Sequence, residues 1–271
     1  MNHPQVAAFA REAKQNAIPT RKIEGQLSRL GRTVHDMMFD AIHDELVVPS
    51  PFAQAVLTFR GGADGEEPPI RIIQGPRTQI VAERGMDKVT IDPINNEIYV
   101  ATSLERVLVF DREANGDVPP KRVLGGPKTR IDGYGRPPMR VDNKNDLLLI
   151  ANGTSEILIF DRLASGDVPP KAVIPGPSGI WQFEVFNDMI VYPRGHNIVA
   201  WSIHNTGDGA RPILSIPADL GARAAQFGIA LNPKYQEVII ATGQGNELRT
   251  FHVPELFDMP APTPASRTAA R

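Results

Sequence analysis

Hydrophobic positions along this chain come in short runs that end at polar or glycine-bearing breaks. Residues 88–92, 97–101, 107–110 and 121–124 are four such runs in succession. Their alternating or continuously apolar pattern predicts short strands, buried on one face or both. Long helical stripes are scarce, while 25 prolines and 23 glycines supply turns. The elements therefore read as many strands joined by tight connections, not as a helical bundle.

The runs repeat. Residues 107–121 (VLVFDREANGDVPPK) return fifty residues later as 157–171 (ILIFDRLASGDVPPK). Weaker copies lie at 56–60 leading to Pro68 and Pro69, at 199–202 leading to Gly207, Asp208 and Gly209, and at 248–251. Two strand-like runs precede each copy and one follows, which makes four short strands in about 40 to 50 residues, one β-propeller blade. A single blade cannot cover both of its apolar faces, so blades stack until a ring shuts. The recurring aromatic, Phe59, Phe110, Phe160, Trp201 or Phe251, is expected to fill each blade interface. Each such ring, fully buried, contributes roughly 1.5–3 kcal/mol. In the GDVPP segment Gly suits a positive φ, Asp bonds neighbouring amides and Pro marks the entry to a strand.

Residues 9–25 align without a gap on 110–126, so the N-terminus holds half a repeat. The last copy, with strands near 227–231, 237–241 and 248–253, turns proline-rich before a fourth strand. The expected architecture is all-β: a β-propeller of five four-stranded blades, closed by pairing residues 19–24 with 248–253 so that no edge stays free. Six blades with one incomplete is the alternative. The domain reading is an N-terminal extension at 1–17, a single propeller domain at 18–257 and a Pro/Ala-rich tail at 258–271.

The succession of strand, Phe-Asp-Arg, GDVPP and then GPKT at 126–129 resembles bacterial propeller repeats of the NHL and YncE-like families. The resemblance covers about residues 9–256 and is sharpest in the copies ending at Lys121 and Lys171. It implies a ring scaffold that binds partners or ligands, in families whose fold says little about chemistry. The SMP-30-like lactonases belong to the same superfamily region and hold a metal in the central channel through carboxylate and Asn ligands. No residue here matches that ligand set.

A formal net charge of −2 removes the global electrostatic argument for nucleic acid. The absence of cysteine excludes disulfides, thiolate catalysis and Cys-ligated metal sites together. The opening MNHPQ lacks the basic and apolar regions of a secretory signal, and no run of 18 apolar residues occurs. The chain reads as cytoplasmic, peripheral at most to the inner membrane and not membrane-spanning.

Candidate chemistry is sparse. His3, His35, His43, His196, His204 and His252 show no metal-ligand spacing. The pairs Asp111-Arg112 and Asp161-Arg162 recur with the repeat, which points to an ion-pair device rather than a catalytic dyad. Gly133-Tyr134-Gly135 and Gly243-Gln244-Gly245 lack the strand-to-helix context of a phosphate cradle. No cofactor, metal or catalytic residue is assigned. For a metal-assisted hydrolase or lactonase, the alternative reading, Asp92, Asp142 and Glu184 near first-strand positions are the nominees, with turn capping as their ordinary role.

Sorting loops by the end of the blade on which they fall separates the charges. Links between blades and second-to-third-strand hairpins collect Arg77, Arg84, Arg106, Lys128, Arg130, Arg136, Arg194 and Arg223, with Tyr134, Trp181 and His196. The opposite loops hold Asp64, Glu66, Glu67, Asp117, Asp146, Asp167, Asp188 and Asp208. Arginine and aromatic side chains favour recognition of a protein or acidic partner. The expected partner-binding face is Arg77, Arg84, Arg106, Arg130, Tyr134, Arg136, Trp181, Arg194, His196 and Arg223. Nucleic acid is not expected, because no aromatic and basic stripe follows one groove. The function anticipated is a non-catalytic scaffold or accessory subunit mediating protein–protein interaction in a larger complex, with a membrane-associated photosynthetic or respiratory assembly as its setting.

Overall fold

The computed structural model describes residues 4–32, 34, 36–81, 88–132, 137–153, 155–206, 209–220, 227–242 and 247–263. A hairpin of β1 (Gln5–Ala8) and β2 (Arg21–Glu24) comes first. The first sheet is β3 (Met38–Asp40), β4 (Glu45–Ser50), β5 (Ala55–Arg60) and β6 (Arg71–Gln74). The second is β7 (Val89–Asp92), β8 (Glu97–Thr102), β9 (Arg106–Asp111) and β10 (Arg122–Gly125). The third is β11 (Met139–Asp142), β12 (Leu147–Asn152), β13 (Glu156–Asp161) and β14 (Ala172–Pro175). The fourth is β15 (Glu184–Phe186), β16 (Met189–Arg194), β17 (Asn197–Ser202) and β18 (Leu214–Pro217). The fifth has three strands among the described residues, β19 (Phe227–Asn232), β20 (Glu237–Thr242) and β21 (Glu247–His252), and one helical turn, α1 (Pro254–Phe257), follows it. Every strand pairs antiparallel with its neighbour in sequence. The chain is the all-β, five-bladed β-propeller that its repeat predicts.

Two compact units divide the chain. One holds Met1–Pro127 with Tyr134–Arg136 and Ser165–Val168, the other Lys128–Gly133, Pro137–Ala164 and Pro169–Arg271. In the first, Phe110 is buried among Val47, Val56 and Ile73 of the preceding sheet and Ile98 and Leu108 of its own, while Phe59 packs with Ile23 and Val6 of the hairpin. In the second, Trp201 is buried among Leu149, Ile157 and Ile174 of the sheet before it. The repeated aromatic thus fills sheet-to-sheet interfaces as expected, and Phe160 is buried too. Only Phe251 stays half-exposed, at the margin of the cluster that joins the fourth and fifth sheets.

The N-terminal half repeat carries the register of an outer half-blade. Val6–Ile23, Val56–Ile73, Val107–Leu124 and Ile157–Ile174 are one cross-strand pair met four times. The pairing expected between residues 19–24 and 248–253 is not the one formed. One edge of β2 is laddered to β1. On the other edge Gly65 donates its N–H to the Lys22 carbonyl at 2.7 Å and accepts from the Glu24 N–H at 3.0 Å. Both edges are taken, and β1 has the advantage that closing one short connection costs less entropy than joining the two ends of the chain.

The same contact shows that the GDVPP segment ties sheets as well as strands. Gly65, Gly116 and Gly166 form parallel bridges to Ile23, Ile73 and Leu124. Gly116 donates to the Ile72 carbonyl at 2.6 Å and accepts from Gln74 at 3.1 Å; Gly166 donates to Val123 at 2.7 Å and accepts from Gly125 at 3.2 Å. All three glycines sit in the left-handed region, at φ of 65°, 80° and 74°, where a side chain is disfavoured. Each connection is therefore a clasp on the outer strand that precedes its own sheet.

The sequence reading expected a linker-like tail from 258 and named no element between β21 and that tail. The structure places α1 there, with Leu256 fully buried and Phe257 edge-on to Phe186 at 5.1 Å between ring centroids. Asn187 donates its side-chain amide to the Met259 carbonyl at 3.0 Å. Residues 264–271 lie outside the described residues. Among the described residues, no helix is long and apolar enough to cross a membrane.

Candidate interaction face

Arg77 lies in a 3-10 turn, Pro76–Thr78, that leaves β6. Thr78 is buried and its hydroxyl donates to the Gly75 carbonyl at 2.6 Å. The Asp117 carboxylate accepts the Arg77 backbone N–H at 2.7 Å. Proline, threonine and the neighbouring clasp together hold the backbone while the arginine side chain projects into solvent. Arg106 opens β9 opposite Gly125. A Cβ on Gly125 would stand 2.5 Å from the Arg106 Cγ, so the arginine stem lies across bare backbone that only glycine leaves open.

In the second unit Arg130 adopts φ of 60° and its Nη2 donates to both oxygens of Glu156, at 2.8 and 2.7 Å. Asn152 bridges the two, donating to Glu156 and to the Arg130 carbonyl at 2.9 Å each. Arg194 ends β16, His196 sits in the tight turn to β17, and Trp181 precedes β15; all three are exposed. Arg77 and Arg106 in one unit, and Arg130, Trp181, Arg194 and His196 in the other, occupy the positions expected of them at links between sheets and at second-to-third-strand hairpins. Arg84, Tyr134, Arg136 and Arg223 lie outside the described residues.

The charge sorting changes at the clasps. Asp117 was assigned to the opposite loops, yet its clasp runs up the neighbouring outer strand and ends at the turn that carries Arg77. Glu66 likewise accepts from the Gln26 N–H at 3.3 Å. Arg130 is neutralised by Glu156, which sequence spacing did not reveal. The missed signal was available in principle: an acidic residue directly after each clasp glycine suits the orphan N–H groups at the start of a 3-10 turn.

The repeated Asp-Arg pairs are structural. Arg112 reaches across sheets to Glu45, Nη1 to both carboxylate oxygens at 3.0 Å, and its Nε donates to Asn96 at 2.9 Å. Arg71 bonds the same Glu45 at 2.5 Å. Arg162 donates to Asp146 at 2.5 Å, and Lys171 to Asp161 at 2.6 Å. In the second sheet Glu97 is buried beneath Arg122, Lys121 and Tyr99. Burial pushes this carboxyl up, but bonds from Arg122, Lys121 and Tyr99 outweigh it and bring it down to about 2.

The carboxylates nominated for a metal are engaged otherwise. Asp92 accepts from the Asn95 N–H at 2.9 Å and its side-chain amide at 2.8 Å; Asp142 accepts from the Lys144 N–H at 3.0 Å and the Asn145 amide at 2.7 Å. Both cap first-to-second-strand turns, as Asp40 does for Ile42 and His43. Glu184 forks onto Arg140 at 3.0 and 3.1 Å. Among the described residues no group of three or more His, Asp or Glu side chains converges as metal ligands would.

No protein-family model matches the chain, and no curated protein matches it in sequence. Solved structures match it in fold. A chain of the Kuenenia stuttgartiensis hydrazine synthase superposes with a TM-score of 0.52 at 10% identity, covering 78% of this chain and 56% of that one. A chain of a mitotic checkpoint complex superposes with a TM-score of 0.53 at 14% identity, covering 81% and 64%. This chain thus spans less than two thirds of either. At such identities the likeness is one of propeller fold.

Proposed function

We propose that this propeller is a non-catalytic scaffold or accessory subunit that docks a protein partner through the arginine-bearing strand ends. The observation that carries the reading is the way Arg77 is presented: its backbone is fixed by Pro76, Thr78 and Asp117 while its side chain is left to solvent. A guanidinium on a rigid turn suits bidentate recognition of carboxylates with little further loss of entropy. In the other unit exposed Trp181 and His196 carry aromatic surface of the kind that interfaces favour. One similar fold comes from a checkpoint complex and one from a synthase, so the argument rests on residues and not on the fold.

The finer reading keeps the NHL and YncE-like resemblance and a cytoplasmic setting at the inner-membrane surface, in a photosynthetic or respiratory assembly. Exposed Lys14 and Arg29 support a surface role; Arg11 and Lys22 pair with Glu12 and Glu24.

Affinity purification of the tagged full chain from its native source tests the proposal. The expected result is a co-purifying protein that is lost when Arg77, Trp181 and Arg194 are changed together to Glu, Ala and Glu with the fold intact. An unchanged set of co-purifying proteins would sink it. Tight, stoichiometric binding of a divalent metal would revive the hydrolase instead.

A further inference from the structure

The outer strand of every complete sheet is attached in one way. The carbonyl of the fourth residue of the third strand accepts from the residue just before the fourth strand: Thr58 from Ile70 at 2.8 Å, Val109 from Lys121 at 2.7 Å, Ile159 from Lys171 at 2.7 Å and Ala200 from Ile213 at 2.8 Å. The N-terminal hairpin repeats it, Ala8 from Thr20 at 2.8 Å. One aliphatic pair then recurs across the ladder: Val6–Ile23, Val56–Ile73, Val107–Leu124, Ile157–Ile174 and Ile198–Ile216.

In the fifth sheet β21 is the third strand, and its corresponding residues are Leu248 and Thr250. Leu248 is 57% exposed and Thr250 is exposed, whereas Val107 and Val109 of β9 are buried. Among the described residues no fourth strand bonds this edge. An open strand edge is a template for pairing with another chain.

The siblings also specify what fits. Where the second strand begins with Glu, the fourth begins with Arg: Glu45 with Arg71, Glu97 with Arg122. Where it begins with Leu147 or Met189, the fourth begins with Ala172 or Leu214. In the fifth sheet β20 begins with Glu237, which accepts from the Asn232 amide at 3.2 Å. The chain's own stretch 259–271 contains no Val, Leu or Ile and carries three prolines, and Pro has no N–H to give a ladder. Arg21 to Ile23 has suitable chemistry but is held between β1 and Gly65.

We infer that the β21 edge docks an extended segment of a partner protein, antiparallel to β21, with Arg at its first position facing Glu237 and Ile, Leu or Val at its third facing Leu248. Main-chain bonds to Leu248 and Thr250 supply affinity, and the two side chains supply selectivity, as in other strand-addition complexes.

The probe is a fluorescent peptide of sequence PPKRVLGG, which is this chain's own fourth strand from the second sheet, added to the full chain and followed by anisotropy. Saturable binding is expected, with slower hydrogen exchange at the Leu248 and Thr250 amides. Leu248→Asp, at an exposed position that leaves folding intact, is expected to abolish it. Glu237→Gln, or Ala in place of the peptide arginine, is expected to weaken it about tenfold, as loss of one charge-assisted bond does. No saturable binding, or binding unaffected by Leu248→Asp, overturns the inference. Protection of the Leu248 and Thr250 amides in the free protein also overturns it, in favour of the chain's own segment if independent of concentration and of a second copy if it vanishes on dilution.

Discussion

The Glu97 carboxylate meets the Arg122 guanidinium in a two-bond fork, Oε1 to Nη1 at 2.7 Å and Oε2 to Nη2 at 2.6 Å, with Glu97 only 4% exposed. The pair joins the first residue of β8 to the first residue of β10 across the intervening β9, so it locks the outer strand of the second sheet to the inner ones.

A pH dependence follows. The Glu97 carboxyl falls from an ordinary 4.5 to about 2 in the folded chain. A lowered folded value contributes stability that is complete above the unfolded pKa and is lost as pH falls through the folded one. Denaturant unfolding is expected to show wild type losing about 3 kcal/mol from this group between about pH 5 and pH 2. Glu97→Gln should lack that portion of the loss; an identical acid profile in the two proteins would refute the assignment.

Two glycines, Gly116 in a clasp and Gly75 at the end of the strand it grips, should separate two costs. Gly116 has φ of 80° and open space where a Cβ would go, so Gly116→Ala carries only backbone strain, about 1–2 kcal/mol. Gly75 has φ of 133° and a Cβ there would stand 2.5 Å from the Asp117 carboxylate. Gly75→Ala is expected to be the more damaging, displacing Asp117 from the Arg77 N–H. Chemical denaturation of both variants checks the order.

The aromatic series should follow burial rather than sequence likeness. Phe110→Ala empties a fully buried position and is expected to cost about 3–5 kcal/mol. Phe251→Ala, at the half-exposed copy, is expected to cost no more than about half of that. Equal losses in calorimetry would mean that the fifth sheet is better covered than its exposed residues indicate.

Leu256 tests the closing turn. Its side chain is fully buried in the cluster that holds Val238, Ile240 and Val253. Leu256→Ala is expected to cost about 2–4 kcal/mol and to raise hydrogen exchange in β19 to β21 more than in the second sheet. Uniform exchange throughout would show that α1 stabilises the fold as a whole.

Arginines at the proposed docking face carry the opposite expectation. Arg77→Ala and Arg194→Ala, both at exposed side chains, are expected to stay within about 0.5 kcal/mol of wild type. A larger loss in thermal unfolding would mark them as structural and weaken their assignment to recognition.

Five copies of a run that carries an aromatic, flanked by strand-length segments and in two copies followed by GDVPP, were enough to read sheets, strand order and the half repeat at the N-terminus. These are local properties: side-chain alternation, turn chemistry and the need of one sheet for a neighbour act over a few residues and survive in the string. Phe59, Phe110 and Phe160 were legible as core for that reason. The candidate face was legible only as a set of loop positions, because Arg130 and Glu156 are 26 residues apart and nothing in their spacing tells that they bond.

The sequence by itself determined the periodic unit, its strands and the residues that fill its interfaces. Tertiary structure alone decided where the clasps land, which carboxylate neutralises which arginine, that Arg21–Glu24 lies between β1 and Gly65, and that Leu256 returns to the core. The division has a physical cause. Periodicity records what each residue requires of its surroundings, whereas the choice among several chemically suitable partners is made by chain closure and by competition for a strand edge, and both depend on the whole folded chain.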